Sequence, residues 1–82
     1  MAKLLLIKVG DRPKNALKVQ GVLTQYGCNV RTRLGLHEFA PECESEDEGI
    51  IFLEVMGKEE EITKMREELE KIEKVKTVYV EL

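Results

Sequence analysis

Apolar residues run almost without a break over Lys3–Val9, which predicts a strand buried on both faces. Asp11 follows as a helix N-cap, with Pro13 in the first turn, where its missing N–H costs little. Ala16, Leu17, Gln20, Leu23 and Tyr26 then recur near helical spacing, and Gly27 stops the helix. Gly21 lies inside that helix, where it costs about 1 kcal/mol relative to alanine, and invites a close helix–sheet approach. Asn29–His37 alternates: Val30, Thr32, Leu34 and Leu36 on one side, Arg31, Arg33, Gly35 and His37 on the other. Glu38–Glu48, acidic and aperiodic around Pro41, reads as a hairpin loop or a fraying extension of the second strand. A third strand is expected over Gly49–Met56. A second helix begins near Lys58, with Ile62, Met65, Leu69 and Ile72 on one stripe, and a fourth strand spans Val75–Leu82.

Two β-α-β halves with right-handed crossovers give one α+β domain over residues 1–82, a ferredoxin-like βαββαβ sandwich: four antiparallel strands, order 4-1-3-2, under two helices on one face. The two central strands are apolar on both sides. Leu5, Ile7, Ile51, Leu53 and Val55 face the helices. Leu4, Leu6, Ile50 and Phe52 face away, with Arg31, Arg33, Thr77 and Tyr79 as the expected rim. A face of that kind calls for a cover, and a second copy of the chain is the simplest, placing Leu4, Leu6, Ile50, Phe52 and Tyr79 in an oligomer interface.

Charge sharpens this picture. The net charge of −3 conceals a split: residues 1–37 carry seven Lys/Arg against one Asp, and residues 38–82 carry six against fifteen Asp/Glu. An acidic total disfavours nonspecific nucleic-acid binding. RNA recognition motifs share the element order but stack bases on aromatics of strands one and three, where this chain offers only Phe52. No run approaches the ~18 apolar residues of a membrane span, and the start is too short for a signal peptide, so a cytoplasmic location is expected. Cys28 and Cys43 lack a C-x-x-C spacing and read as free thiols, with Cys28 a small buried apolar contact.

Asp11-Arg12-Pro13 after a strand, leading a helix that closes at Gly27-Cys28-Asn29-Val30, resembles the ACT domain, whose Asp-Arg-Pro-Gly turn leads a helix ending in Gly-x-Asn-Ile/Val. With Asn29–Glu38, the chain looks like the small stand-alone ACT-like proteins of anaerobic bacteria labelled iron-only hydrogenase system regulators. The resemblance covers residues 3–37 and implies a non-enzymatic regulatory domain, a homodimer or homotetramer with a small-molecule effector between subunits. The ligand residues it implies are Gly10, Asp11, Arg12, Lys14 and Asn15 of the turn, with Arg31 and Arg33 of the second strand. Where the family pattern has glycine, this chain has Lys14, whose side chain takes part of the space an amino acid would occupy.

His37 and Cys43 form the other candidate constellation, since imidazole and thiolate together suit nickel, copper or zinc. Their spacing resembles His-x5-Cys in the nickel-responsive repressor, and an oligomer could pair them across an interface, with Glu38 or Glu42 completing the shell. No cofactor is firmly implied, and a divalent metal is the one candidate. Val19-Gln20-Gly21-Val22 resembles the phosphate loop of acylphosphatase, but it falls inside the helix pattern, and Gln25 stands where that enzyme has its arginine. No other enzyme signature appears. A third reading is an interaction scaffold whose sheet face docks a partner protein.

Overall fold

The computed structural model of the chain describes residues 2–37 and 48–82, the side chains of 36 and 37 excepted. Its elements are β1 (Lys3–Val9), α1 (Arg12–Gln25), a 3-10 turn (Gly27–Asn29), β2 (Val30–His37), β3 (Gly49–Val55), α2 (Glu59–Glu70) and β4 (Val75–Glu81). The strands form one antiparallel sheet in the order β2-β3-β1-β4 with both helices on one face, the ferredoxin-like arrangement expected from the sequence.

Leu5, Ile7, Val9, Leu53, Val55 and Val75 project from the sheet onto Val19 and Leu23 of α1 and Ile62, Met65 and Leu69 of α2, and all are buried. α2 matches its sequence stripe, and Glu59, Glu60 and Glu61 occupy its first turn, where carboxylates suit the helix dipole. α1 is rotated relative to expectation. It buries Asn15, Val19 and Leu23, at four-residue spacing, and leaves Leu17 84% exposed. Gly21 is exposed, and a Cβ there would meet nothing within 4 Å, so it allows no close approach to the sheet. Cys28 is exposed on the 3-10 turn and not the buried contact expected.

Asp11 sits at the N-cap but in the left-handed region (φ 51°, ψ 53°), and its side chain makes no capping hydrogen bond. Its carbonyl instead accepts from the N–H groups of Lys14 and Asn15, both at 3.0 Å. Asn15, 3% exposed, donates through Nδ2 to the carbonyls of Gly10 (2.7 Å) and Glu73 (2.9 Å). That side chain ties the β1–α1 turn to the α2–β4 turn. Gly10 completes the tie: its N–H donates to Lys74 O at 2.8 Å, and a Cβ on it would come within 2.9 Å of Lys74 Cβ and O.

β4 reverses the expected assignment of faces. Register pairs Thr77 with Ile7 and Tyr79 with Leu5, so both lie on the helix side. There Thr77 Oγ1 donates to Glu70 Oε2 and accepts from Arg66 Nε, while Tyr79 OH donates to Glu59 Oε1 at 3.0 Å, with Glu81 Oε1 3.2 Å away. Tyr79 therefore does not belong to the outer face where the interface was expected. Desolvation, then hydrogen bonding to Glu59 and Glu81 and their negative charge, pushes the phenol up to about 12. A phenol raised above its ordinary value of 10.0 contributes stability that is complete below that value and lost as pH climbs towards 12. Tyr79→Phe should flatten this part of the alkaline unfolding profile, and an unchanged slope between pH 10 and 12 would show that the phenol does not contribute.

Candidate functional site

Among the described residues, the sheet's helix face runs short of side chains at one corner. Gly35 pairs with Ile51, and Gly49 pairs with both Val9 and His37, so both glycines stand at helix-facing positions of the β2–β3 hairpin without filling them. A Cβ on Gly35 would meet nothing within 4 Å. A groove of about 460 Å³ opens there beneath the N-terminal half of α1, within the usual range for small-molecule sites. Val9, Val19 and Ile51 give it apolar lining, Ala16 and Leu17 form the helix lip, and Arg12, Gln20 and Arg33 supply the polar groups. Arg33 reaches across from β2 and donates through Nη1 to Gln20 Oε1 at 2.6 Å.

The expected ligand residues are divided by this geometry. Arg12 and Arg33 line the groove. Asp11, Lys14 and Asn15 line a separate polar hollow of about 120 Å³ with Lys18, Glu73 and Lys74. Gly10 is buried in the backbone contact with Lys74. Arg31 is exposed at the register shift between Val30 and Thr32 and lines neither. The metal reading falls on the His37 side chain and Cys43, which lie outside the described residues, as does the expected loop. What sequence reasoning missed was the pair Gly35 and Gly49. The available signal was a glycine at a helix-facing position of each hairpin strand.

The opposite face of the sheet is open. The register lays Leu34, Phe52, Leu6 and Val78 in one row across all four strands. A second row holds Thr32, Glu54, Leu4 and Val80, and Ile50, Lys8 and Lys76 belong to a third. Leu34 and Val78 are more than half exposed (57% and 55%), with Ile50 and Phe52 at 44% and 38%. Leu4, Leu6, Ile50 and Phe52 thus lie where expected, and the aliphatic contribution of β4 is Val78 and Val80. Among the described residues no helix is long and apolar enough to cross a membrane.

No known family model matches the sequence, and no curated protein matches it. Among solved structures the chain is similar to the uncharacterized protein TM1266 from Thermotoga maritima, with a TM-score of 0.81 and 26% identity over 96% of this chain and 92% of that one. It is also similar to the periplasmic divalent cation tolerance protein CutA from Archaeoglobus fulgidus (TM-score 0.54, 9% identity, 100% and 84% covered). A third is CPII from Thiomonas intermedia K12, whose structure holds ADP, AMP and acetate (TM-score 0.54, 15% identity, 99% and 89% covered). The last two likenesses are of fold alone.

Proposed function

We propose that this chain is a non-enzymatic regulatory domain that senses a small ligand in the Arg12/Arg33 groove and acts as a homodimer or homotetramer through its open sheet face. The observation that carries the reading is the groove itself, a concave apolar site with two arginines brought together from α1 and β2. The ferredoxin-like fold supplies a rigid frame, and the sequence resemblance to stand-alone ACT-like regulators extends the reading to control of hydrogenase or other anaerobic metabolism in the cytoplasm. Sensing requires the ligand to favour one subunit arrangement, by binding the two with different affinities.

The test is a thermal-unfolding screen of the full chain against organic acids, amino acids, nucleotides and divalent metals. A ligand at 100 times its Kd adds about 2.7 kcal/mol, a rise of about 10–20 °C for a domain this small. A flat response throughout the panel would leave the open sheet face as a protein-docking scaffold and overturn the sensor reading.

A further inference from the structure

We infer that two copies of the chain close the open sheet face with their strands steeply crossed, about a two-fold axis that lies along a diagonal apolar band and brings Glu54 of each copy against Lys76 of the other. The inference rests on that face being the self-interface. On it the register sets Ile50 in one row, Phe52 and Leu6 in the next, and Leu4 and Val80 in the third. Apolar surface therefore runs obliquely, from Ile50 on β3 to Val80 on the β4 edge. Polar side chains hold the two remaining corners. Thr32 and Glu54 take one, on β2 and β3, and Lys8 and Lys76 take the other, on β1 and β4.

This layout discriminates among the ways a copy can be laid on the face. A two-fold axis parallel to the strands sets Glu54 opposite Leu4 of the copy and Lys8 opposite Ile50. An axis in the plane of the sheet but perpendicular to the strands sets Glu54 opposite Ile50 and Lys8 opposite Leu4. Either way charges are pressed onto apolar side chains, which strips their hydration and returns no partner. These oppositions follow from backbone register and hold whatever partners the charges have in their own chain.

Two oblique axes keep band on band. One crosses the band and lays Glu54 towards Glu54 and Lys76 towards Lys76. The other follows the band and exchanges the corners, so that Glu54 approaches Lys76 at both ends of the interface. Thr32 Oγ1 donates to Glu54 Oε1 at 3.4 Å, and Lys76 is exposed. Lys8 is bonded to Glu48 at 3.0 Å, and Arg31 lies at the β2 bulge outside these rows, so Lys76 is the cation assigned to Glu54. Strand spacing and rise set the band roughly 40° from the strand direction, so the sheets cross at roughly 80°, in the orthogonal class of sheet packing.

The experiment is sedimentation equilibrium on the full chain, with circular dichroism to confirm the fold, applied to Glu54→Lys, to Lys76→Glu and to an equimolar mixture of the two. Each variant alone places like charges at both ends of the interface and is expected to self-associate at least roughly 10-fold more weakly than the unaltered chain. In the mixture each new charge meets the opposite charge of its partner, so the two should associate as tightly as unaltered copies do. The double variant should recover in the same way.

A mixture no tighter than its components would overturn the crossing, even where Phe52→Glu still dissolves the assembly and so upholds the face as the interface. Glu54→Lys binding the unaltered chain more tightly than it binds Lys76→Glu would overturn it in favour of the axis across the band. Unchanged association of both single variants refutes the pairing of Glu54 with Lys76. A chain monomeric at tens of micromolar removes the interface and the crossing together.

Discussion

Asn15→Ala should cost about 2–4 kcal/mol and lower the unfolding midpoint by roughly 10–25 °C. Asn15 is 3% exposed and satisfies two backbone carbonyls, Gly10 O and Glu73 O. Alanine would leave both without their donor, and an unmade buried hydrogen bond costs more than a made one contributes. The effect should reach beyond α1, because those carbonyls belong to the two turns that meet at the Val9/Val75 end of the β1–β4 pair. Lys14→Ala, one residue earlier and exposed, is the control and should stay within about 0.5 kcal/mol. Thermal and urea melts decide the matter. If the two variants lose stability equally, Asn15 does not tie the turns.

Phe52→Glu should dissolve the proposed assembly, weakening self-association by at least roughly 100-fold while leaving each domain folded. Phe52 sits in the middle of the apolar row between Leu34 and Leu6, on the face away from the helices, so a carboxylate there has no core to disrupt. Pressed between two sheets, it would be a buried unpaired charge. Sedimentation equilibrium gives the association constant and circular dichroism the fold. Tyr79→Phe is the matched control, because its side chain lies on the helix side and should leave assembly intact. An unchanged oligomer with glutamate at position 52 would remove this face from the interface, and a chain already monomeric at tens of micromolar would remove the assembly altogether.

The sequence disclosed the order of elements because the signals there are local and redundant. Lys3–Val9 is apolar on both sides, and Ile62, Met65 and Leu69 share a clean helical stripe. α1 was harder. Ala16, Leu17 and Leu23 compete with Asn15, Val19 and Leu23 as an inward face. The winning face begins with a polar residue whose burial makes sense only once the Gly10 and Glu73 carbonyls are in place, and Glu73 is 58 residues away. β4 misled for a related reason. Thr77 and Tyr79 look like residues of the open face, yet Arg66, Glu70 and Glu59 of α2 hydrogen-bond them on the helix side, and Val78 and Val80 are left on the open face. The candidate site was legible only in part. Arg12 and Arg33 were visible as cations, but the groove that joins them is defined by missing side chains, and an empty volume leaves its mark in register more than in motif.

The pairing of β1 also bears on how the chain comes off the ribosome. It is made before the other three strands of the sheet, yet it lies inside, and its two neighbours, β3 and β4, are made much later. Throughout that interval Leu4-Leu5-Leu6-Ile7 is an apolar strand with both backbone edges unclaimed, the kind of segment that seeks any partner strand within reach. Lys3 and Lys8 flank it with positive charge. That places two like-charged gatekeepers on the nascent chain, so that neighbouring copies repel one another until β3 and β4 are synthesised to claim the strand.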